Sequence, residues 1–319
     1  MTDTLIPAEA PTTTAAVTAG AGPKDAYPTR RDRERLITRR EPVIFGDGQP
    51  VGDYSLTSEQ MQRYAADGYL VVPDVFSREE CSDLLLDVDR MANAPELRAR
   101  EELIREPGST APRSIFSPQR FSDAFDRASR DPRIVDIIRQ ILASEVYIHH
   151  ARVNIKQALI GKSFPWHSDF ETWHAEDGLP AMRVLSAWIM LTDNTPHNGP
   201  LFVIPGSHKT FVSCAGETPD ENHKTSLRKQ DVGVPSLAAL QALARERGIA
   251  SATGGPGTLV LHEGNTMHGS TDNITPWPRT NAFFVYNSVE NTPADHPFAA
   301  GKFRPDFLGS KDFTPLRAA

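Results

Sequence analysis

Cysteine is nearly absent from this chain, because Cys81 and Cys214 are the only two among its 319 residues. Two thiols cannot build a disulfide framework or a zinc site with several cysteine ligands. Hydrophobic runs are also short, and none approaches the roughly 20 residues that a membrane-spanning helix requires. The amino-terminal residues lack the charged segment and apolar segment of a secretory signal. These absences predict a soluble cytoplasmic protein with no membrane partner.

A surplus of positive charge is lacking too, since 41 Asp and Glu residues against 34 Lys and Arg residues give a net charge of −7. Proteins that bind nucleic acid by neutralising phosphates carry the opposite balance, so nucleic acid is not an expected partner. One local exception is residues 30–40, "RRDRERLITRR", which contain six arginines. Such a run predicts a solvated surface segment, with a lid or a partner-docking segment as the alternative.

The distribution of apolar residues predicts the domain organisation. Residues 1–23 are rich in Thr, Ala and Pro, which is typical of a disordered tail. Residues 24–319 are expected to form a single domain. Its first part, about 55–143, has mainly helical periodicity, whereas about 144–290 contain short β-rich runs separated by turn residues. Several short strands at this spacing predict an antiparallel sandwich or barrel.

Two capping boxes locate the starts of helices in the first part. Thr57 with Gln60, and Ser77 with Glu80, have the spacing at which each side chain can bond the other residue's backbone N–H. A further helix is expected over Pro132–Leu142, where isoleucines recur at helical spacing.

The stretch "WHSDFETWHAE", Trp166–Glu176, contains the strongest candidate for a metal site. If "FPWHSDF" is the edge of a strand, His167 and Asp169 face the same way, because residues i and i+2 share one face. His268, which follows the β-rich "GTLVLHE", is the best candidate for a third ligand. Two histidines and one carboxylate that leave positions open are typical of non-haem Fe(II) oxygenases. A catalytic zinc ion with the same ligands is an alternative.

Arg279, at the start of a later β-rich run, helps to choose between these metals. An inward-pointing guanidinium would be costly unless it met an anion, and a dicarboxylate co-substrate would be held through two parallel hydrogen bonds. A hydrolytic zinc site has no need of such a residue. The alternative is a surface arginine that merely follows Pro278.

Four stretches resemble one family: "FPWHSDFETWHAEDGLPAMR", "NGPLFVIPGSHKTFVSC", "NTMHGSTDNITPWPRTN" and "VYNSVEN". They are similar to the ectoine hydroxylases, which belong to the phytanoyl-CoA dioxygenase superfamily, and the likeness runs from about Tyr27 to the C-terminus. The resemblance implies a mainly β fold, namely a double-stranded β-helix (a cupin-like jelly roll) core with surrounding helices. It also implies a homodimer that acts on a small-molecule substrate.

The resemblance further implies the cofactors Fe(II), 2-oxoglutarate and O₂. The implied catalytic metal ligands are His167, Asp169 and His268. The implied co-substrate contacts are Arg279, with Ser186 beside it, and Asn154 and Lys156. The implied substrate contacts are His150, Thr172 and Trp173.

Departures from the family pattern lie near the implied substrate pocket. The family usually has Gln in "HQSR" where this chain has His150 in "HHAR", and Trp188 replaces a small residue. Pro165 stands where Tyr is common, and "LHEGNTMH" replaces the usual Phe-Asp-Cys version. The implied iron and co-substrate positions are intact, so the expected chemistry is firmer than the expected substrate.

The resulting prediction is an Fe(II)- and 2-oxoglutarate-dependent hydroxylase that converts ectoine to 5-hydroxyectoine. His150 and Trp188 motivate the first alternative, a hydroxylase of a free cyclic amino acid such as proline or pipecolate. A jelly-roll binding protein without turnover and a zinc hydrolase are the alternatives of other classes.

Overall fold

Antiparallel β-structure forms the centre of the molecule. The structure is a computed structural model that describes residues 25–317, so the expected tail, residues 1–23, lies outside the described residues. Within the described range the strands are β1 (Arg35–Thr38), β2 (Tyr69–Val72), β3 (Leu103–Arg105), β4 (Pro112–Phe116), β5 (Val146–Lys156), β6 (Phe164–His167), β7 (Val184–Met190), β8 (Leu201–Val203), β9 (Thr210–Ser213), β10 (Ala250–Ala252), β11 (Leu259–Glu263), β12 (His268–Ser270) and β13 (Arg279–Ser288).

The strands form two main sheets and one small ribbon. The larger sheet has the order β2-β11-β7-β13-β5-β4-β3, the smaller has the order β10-β8-β12-β6, and β1 pairs with β9. Every pairing between these strands is antiparallel. Apart from the consecutive strands β3, β4 and β5, neighbours in the two main sheets come from distant parts of the chain, as in jelly rolls. The fold is therefore mainly β, with a jelly-roll core and helices around it, as the resemblance implied.

Helices surround the sheets, and the first five along the chain pack against the outer face of the larger sheet. They are α1 (Ser58–Asp67), α2 (Arg78–Asn93), α3 (Pro95–Arg98), α4 (Asp123–Ser129), α5 (Pro132–Leu142), α6 (Asp169–Asp177), α7 (His223–Ser226) and α8 (Leu237–Ala244). No helix within residues 25–317 is long and apolar enough to cross a membrane.

The expected helix starts are confirmed. Thr57 caps α1 and Ser77 caps α2, and both capping boxes are complete. The third expected helix has the bounds that its isoleucine spacing indicated. The region expected to be helical, about residues 55–143, also supplies β2, β3 and β4 to the larger sheet. Those strands are short, and both β2 and β4 pair with strands outside that region, β11 and β5, so local periodicity indicates them only weakly.

Period-two alternation gives the larger sheet one apolar face and one mixed face. Ala151, Val153 and Ile155 of β5 belong to the core beneath the helices. On the opposite face, Trp188 and Phe283 stack with ring centroids 5.1 Å apart, in a cluster that also contains residues of the smaller sheet. The space between the two sheets is thus filled by aromatic and aliphatic side chains at one end and lined by polar side chains at the other.

The arginine-rich segment is not simply solvated, which corrects the first interpretation of its sequence. Arg30 is buried and forms ion pairs with Glu171 at 3.0 Å and Glu176 at 2.7 Å. The side chain of Arg39 is buried and pairs with Glu263 at 2.7 Å. The other four arginines of the segment are exposed. These two buried arginines attach the N-terminal segment to α6 and β11.

Candidate metal centre and the two cavities beside it

His167 and Asp169 lie where a strand turns into a helix. β6 ends at His167, and the hydroxyl of Ser168 caps α6 by accepting a hydrogen bond from the N–H of Glu171. Asp169 is therefore the first residue of a helix, and its expected position on a strand was wrong. The two side chains still converge, because the turn at Ser168 leaves His167 Nε2 3.5 Å from Asp169 Oδ1.

His268 completes the group from the neighbouring strand. It is the first residue of β12, and its Cα is paired with that of His167. His268 Nε2 lies 3.8 Å from Asp169 Oδ2. Among the residues that the structure describes, these three form the one group of His, Cys, Asp or Glu side chains whose ligand atoms all lie within 4.8 Å of one another. The structure thus brings together the three residues that the sequence suggested as ligands.

Backbone carbonyls orient both histidines in the same way. The Nδ1–H of His167 donates to the carbonyl of Pro165 at 2.9 Å, and that of His268 donates to the carbonyl of Thr266 at 2.9 Å. A carbonyl accepts only from a protonated nitrogen, so in the neutral ring it is Nε2 that carries the lone pair, and each Nε2 lies near Asp169. Such hydrogen bonds from the far ring nitrogen are typical of metal-ligating histidines.

Electrostatics favours the protonation states that a metal requires. Burial and the neighbouring His167 hold the pKa of His268 well below its ordinary value, so its ring is neutral. Burial alone would raise the pKa of Asp169, but the surrounding histidines, His268 first, bring that pKa well below its usual range. One carboxylate and two imidazoles with no thiolate fit a divalent transition metal that keeps open positions for other ligands.

A cationic cavity adjoins the three residues. Lys156 and Arg279 line it together with His167 and His268. Burial and the nearby Arg279 lower the pKa of Lys156 to about 6, and burial lowers the pKa of Arg279 to about 10. Arg279 Nε has no hydrogen-bond partner among residues 25–317. Two buried cationic groups with so little compensation predict an anionic ligand.

Asn154 lies in the same cavity, whereas Ser186 does not lie beside Arg279. The register places Ser186 opposite Val285, six residues along β13 from Arg279, or about 20 Å at the rise of a strand. Ser270 does line the cavity, and it accepts a hydrogen bond from Lys156 Nζ at 2.9 Å. The structure thus corrects the expected pairing of Ser186 with Arg279.

A second cavity meets the first at the metal centre. His150, Thr172 and Trp173, the three residues expected to contact substrate, all line this second cavity. Its walls include His167 and Asp169, and His167 also belongs to the wall of the cationic cavity. Two separate ligands could therefore reach the same metal ion from two sides.

His150 presents a hydrogen-bond acceptor to the second cavity. Its Nδ1–H donates to the carbonyl of Leu308 at 2.9 Å, and its Nε2 is buried without a partner among the described residues. Burial and the nearby Arg152 lower the pKa of His150 to about 3, so the ring is neutral. A neutral ring that donates through Nδ1 can only accept through Nε2.

Three residues at the site were missed by sequence reasoning. Arg152 lines both cavities, His262 lies 3.3 Å from the Asp169 carboxylate, and Arg304 lines the second cavity. Alternation along β5 and β11 could have indicated the first two, since Arg152 lies between apolar residues and His262 follows the apolar run Leu259–Leu261. Arg304 belongs to an irregular C-terminal segment, and no periodicity points to it.

Trp188, a departure from the family pattern, lies outside both cavities. It is fully buried and stacks on Phe283, which in turn lines the cationic cavity. Its effect on a ligand would therefore be indirect. Of the two departures that motivated a different substrate, His150 alone lies in the second cavity.

Comparisons with known proteins agree with this geometry. "Ectoine dioxygenase" of Bordetella bronchiseptica is 51% identical over 270 residues, covering 84% of this chain and 87% of that protein. "Ectoine dioxygenase" of Streptomyces avermitilis is 46% identical over 293 residues, covering 92% and 98%. The crystal structure of EctD from S. alaskensis with 2-oxoglutarate and 5-hydroxyectoine has a TM-score of 0.83 and 40% identity, covering 93% of this chain and 98% of the other. Residues 64–281 match the phytanoyl-CoA dioxygenase (PhyH) family, and the chain belongs to that family.

Proposed function

We propose that this protein hydroxylates ectoine to 5-hydroxyectoine with Fe(II), 2-oxoglutarate and O₂. The observation that carries the proposal is the meeting of two cavities, one cationic and one bearing the expected substrate contacts, at the group formed by His167, Asp169 and His268. The relatives named ectoine dioxygenase, at 44–51% identity over most of the chain, support the choice of substrate. The structure of S. alaskensis EctD with bound Fe supports the choice of metal.

His167, Asp169 and His268 would hold the iron, and bound iron would couple oxidative decarboxylation of 2-oxoglutarate to hydroxylation by O₂. The protein's own contribution is to orient both organic ligands and to limit the access of water. Burial of the three ligands supports this role, since each is less than a tenth exposed.

The cationic cavity suits the dicarboxylate. Arg279 can hold the carboxylate remote from the metal through two parallel hydrogen bonds, and Lys156 can add a third charged donor. Asn154, on the same strand as Lys156, also lines the cavity, although its side-chain oxygen already accepts from Ser114 at 2.8 Å. Binding of a dianion would offset the burial of Arg279 and stabilise the protonated form of Lys156.

The second cavity suits ectoine, which is a cyclic amidine with a carboxylate. Ring N–H groups of the amidinium can donate to His150 Nε2, the same role that a glutamine carbonyl would serve. Trp173, which is 3% exposed, offers an aromatic wall to the cationic ring. Arg304 uses Nε and Nη2 to bind Asp177 at 2.7 and 2.6 Å, which leaves Nη1 for the carboxylate of a substrate.

Succinate release by the iron-loaded protein tests the proposal, measured with ectoine, proline or pipecolate beside 2-oxoglutarate and with mass spectrometry of the products. The expected result is gain of one oxygen atom by ectoine, with one succinate formed per product. Hydroxylation of proline or pipecolate but not of ectoine would replace the substrate. Ligand binding without succinate would favour a binding protein, and zinc content without iron-dependent turnover would favour a hydrolase.

Binding of 2-oxoglutarate is expected to take up a proton at Lys156. In the free protein the pKa of Lys156 is lowered to about 6, so the amine is mostly neutral at pH 7.5. A bound carboxylate restores the charged form, and affinity therefore falls as pH rises above about 6, by up to about tenfold per unit. Calorimetry at pH 7.5 in buffers of different ionisation enthalpy should give an uptake approaching one proton.

Two variants locate that proton. Lys156→Met should abolish the uptake, whereas Lys162→Met, which changes an exposed lysine on the same cavity wall, should leave it unchanged. Proton uptake that persists in Lys156→Met would show that another group titrates.

His150→Gln is expected to keep ectoine turnover within about threefold of wild type, because the amide oxygen replaces Nε2 as acceptor. His150→Leu removes the acceptor and should raise KM for ectoine by about 10- to 100-fold, the cost of a lost hydrogen bond to a charged group. Initial rates over a range of ectoine concentrations give both values. Equal KM values for the two variants would contradict a hydrogen-bonding role.

We also propose that the protein acts in the cytoplasm as a homodimer, with residues 24–319 forming one domain. Both thiols, Cys81 and Cys214, are free and buried, which suits a reducing compartment. The resemblance supports the dimer, and light scattering across a range of protein concentrations tests it. A mass of one chain at every concentration would contradict it.

A further inference from the structure

His262 lies beside the metal centre without belonging to it. It is on β11, is 1% exposed, and its Nε2 lies 3.3 Å from Asp169 Oδ2. The ligand atoms of His167, Asp169 and His268 all lie within 4.8 Å of one another, and His262 is not part of that group. Its ring is nevertheless close to that of His268, with centroids 4.9 Å apart.

Asp169 offers two oxygen atoms, and their surroundings differ. Oδ1 is 3.5 Å from His167 Nε2, whereas Oδ2 is near two histidines, His262 at 3.3 Å and His268 at 3.8 Å. Since His268 Nε2 has its lone pair free for a metal, His262 is the group that can donate a hydrogen bond to Oδ2 through its Nε2–H. A hydrogen bond of this kind uses one oxygen and leaves the other for coordination.

We propose that His262 is a positioning residue that restricts Asp169 to binding the metal through one oxygen. The inference rests on the proposed metal site. An octahedral ion has six positions, of which His167, His268 and one oxygen of Asp169 would take three. A chelating keto acid would need two of the remaining positions and O₂ would need the third. A second oxygen of Asp169 on the metal would compete for a position that the chemistry needs.

The fold holds His262 in this place. In the larger sheet its Cα is paired with Tyr69 on one side and with Ser186 on the other. Within residues 25–317 its Nδ1 has no hydrogen-bond partner, and its Nε2 contacts the carboxylate of Asp169. Because β11 is paired with a strand on each side, the backbone fixes the position from which the buried ring of His262 contacts Asp169.

The test uses protein loaded with Co(II), whose visible absorption reports the number and geometry of ligands, and a titration with 2-oxoglutarate. His262→Phe keeps an aromatic ring of similar size but no donor, and it should weaken 2-oxoglutarate binding by about tenfold and alter the absorption of the complex. His262→Gln keeps an N–H donor and should restore both properties toward those of wild type. The melting temperature of each metal-free variant checks that it is folded.

Several results would overturn the inference. One is a His262→Phe variant that binds Co(II) and 2-oxoglutarate as wild type does. Another is equal weakening in the Phe and Gln variants, since the donor would then not be the reason. These titrations do not use ectoine. Failure to hydroxylate ectoine would therefore reject the proposed substrate, whereas the Co(II) spectra alone would decide the role of His262.

Discussion

Replacement of Asp169 by alanine is expected to lower kcat/KM for ectoine by more than about 1000-fold, given that losing only a hydrogen-bond partner of a metal ligand costs about 10- to 100-fold. Asp169 is the single anion among the three ligands, and the two histidines beside it are directed at the same point by carbonyls of Pro165 and Thr266. Without the carboxylate two neutral ligands remain, too few to retain a weakly bound divalent ion. Succinate formation and iron content of the purified variant measure the two effects together.

A matched control separates loss of a ligand from loss of a carboxylate in general. Asp89→Ala changes an exposed aspartate on α2 and should leave both iron content and turnover at wild-type values. His167→Ala should behave as Asp169→Ala does. Iron-dependent turnover retained by either ligand variant would overturn the assignment of the metal site.

Arg30→Ala is expected to destabilise the fold by about 3–5 kcal/mol, the usual result of removing one partner from a buried ion pair. Arg30 forms two hydrogen bonds of 3.0 Å with Glu171 and one of 2.7 Å with Glu176. Both carboxylates would remain buried after the change, with only neutral partners such as Thr29 and Asn222. Urea unfolding followed by circular dichroism gives the free energy of unfolding.

The same segment supplies the control for Arg30. Arg33→Ala removes an equal charge from an exposed position and should change the free energy of unfolding by less than about 0.5 kcal/mol. Adding Glu171→Gln to Arg30→Ala removes one of the two stranded charges and should recover part of the lost stability. Equal stabilities for Arg30→Ala and Arg33→Ala would show that the buried pairs contribute little.

Arg30→Ala is also informative about the site. Glu171 and Glu176 belong to α6, the helix that carries Asp169 and Trp173. A shift of that helix would move a metal ligand and a cavity wall together. Activity should therefore fall more steeply than the folded fraction does as urea is added to the variant.

Much of the fold follows from local sequence signals. The capping boxes at Thr57 and Ser77 and the isoleucine spacing of α5 are properties of short segments, so they could be recognised without knowledge of the tertiary structure. Alternation along β5, where apolar residues 151, 153 and 155 are interleaved with polar ones, predicts which side chains face the cavity. Lys156 and Asn154 are in the cavity for that reason.

The start of α6 also has a local signal. Ser168 and Glu171 have the spacing of a capping pair, which could have indicated that Asp169 begins a helix.

Other features depend on distant parts of the chain. The separation of Ser186 from Arg279 depends on the register between β7 and β13, which no local pattern encodes. Burial of Arg30 depends on carboxylates more than 140 residues away. The density of arginines alone predicted a solvated segment there, because the local sequence shows the positive charges but not the distant carboxylates that bind them.

The C-terminal segment described at the second cavity bears on synthesis of the protein. His150 donates to Leu308, and Arg304 binds Asp177 across 127 residues of chain. Contacts of such sequence separation form late, because the entropy of closing a long loop must be lost before they can contribute. A nascent chain that has emerged only as far as β13 could already contain all three metal ligands, yet its second cavity would lack one wall. Residues 304–308 must therefore leave the ribosome before that cavity can close, and until then a chain that already holds iron would expose its metal centre to solvent.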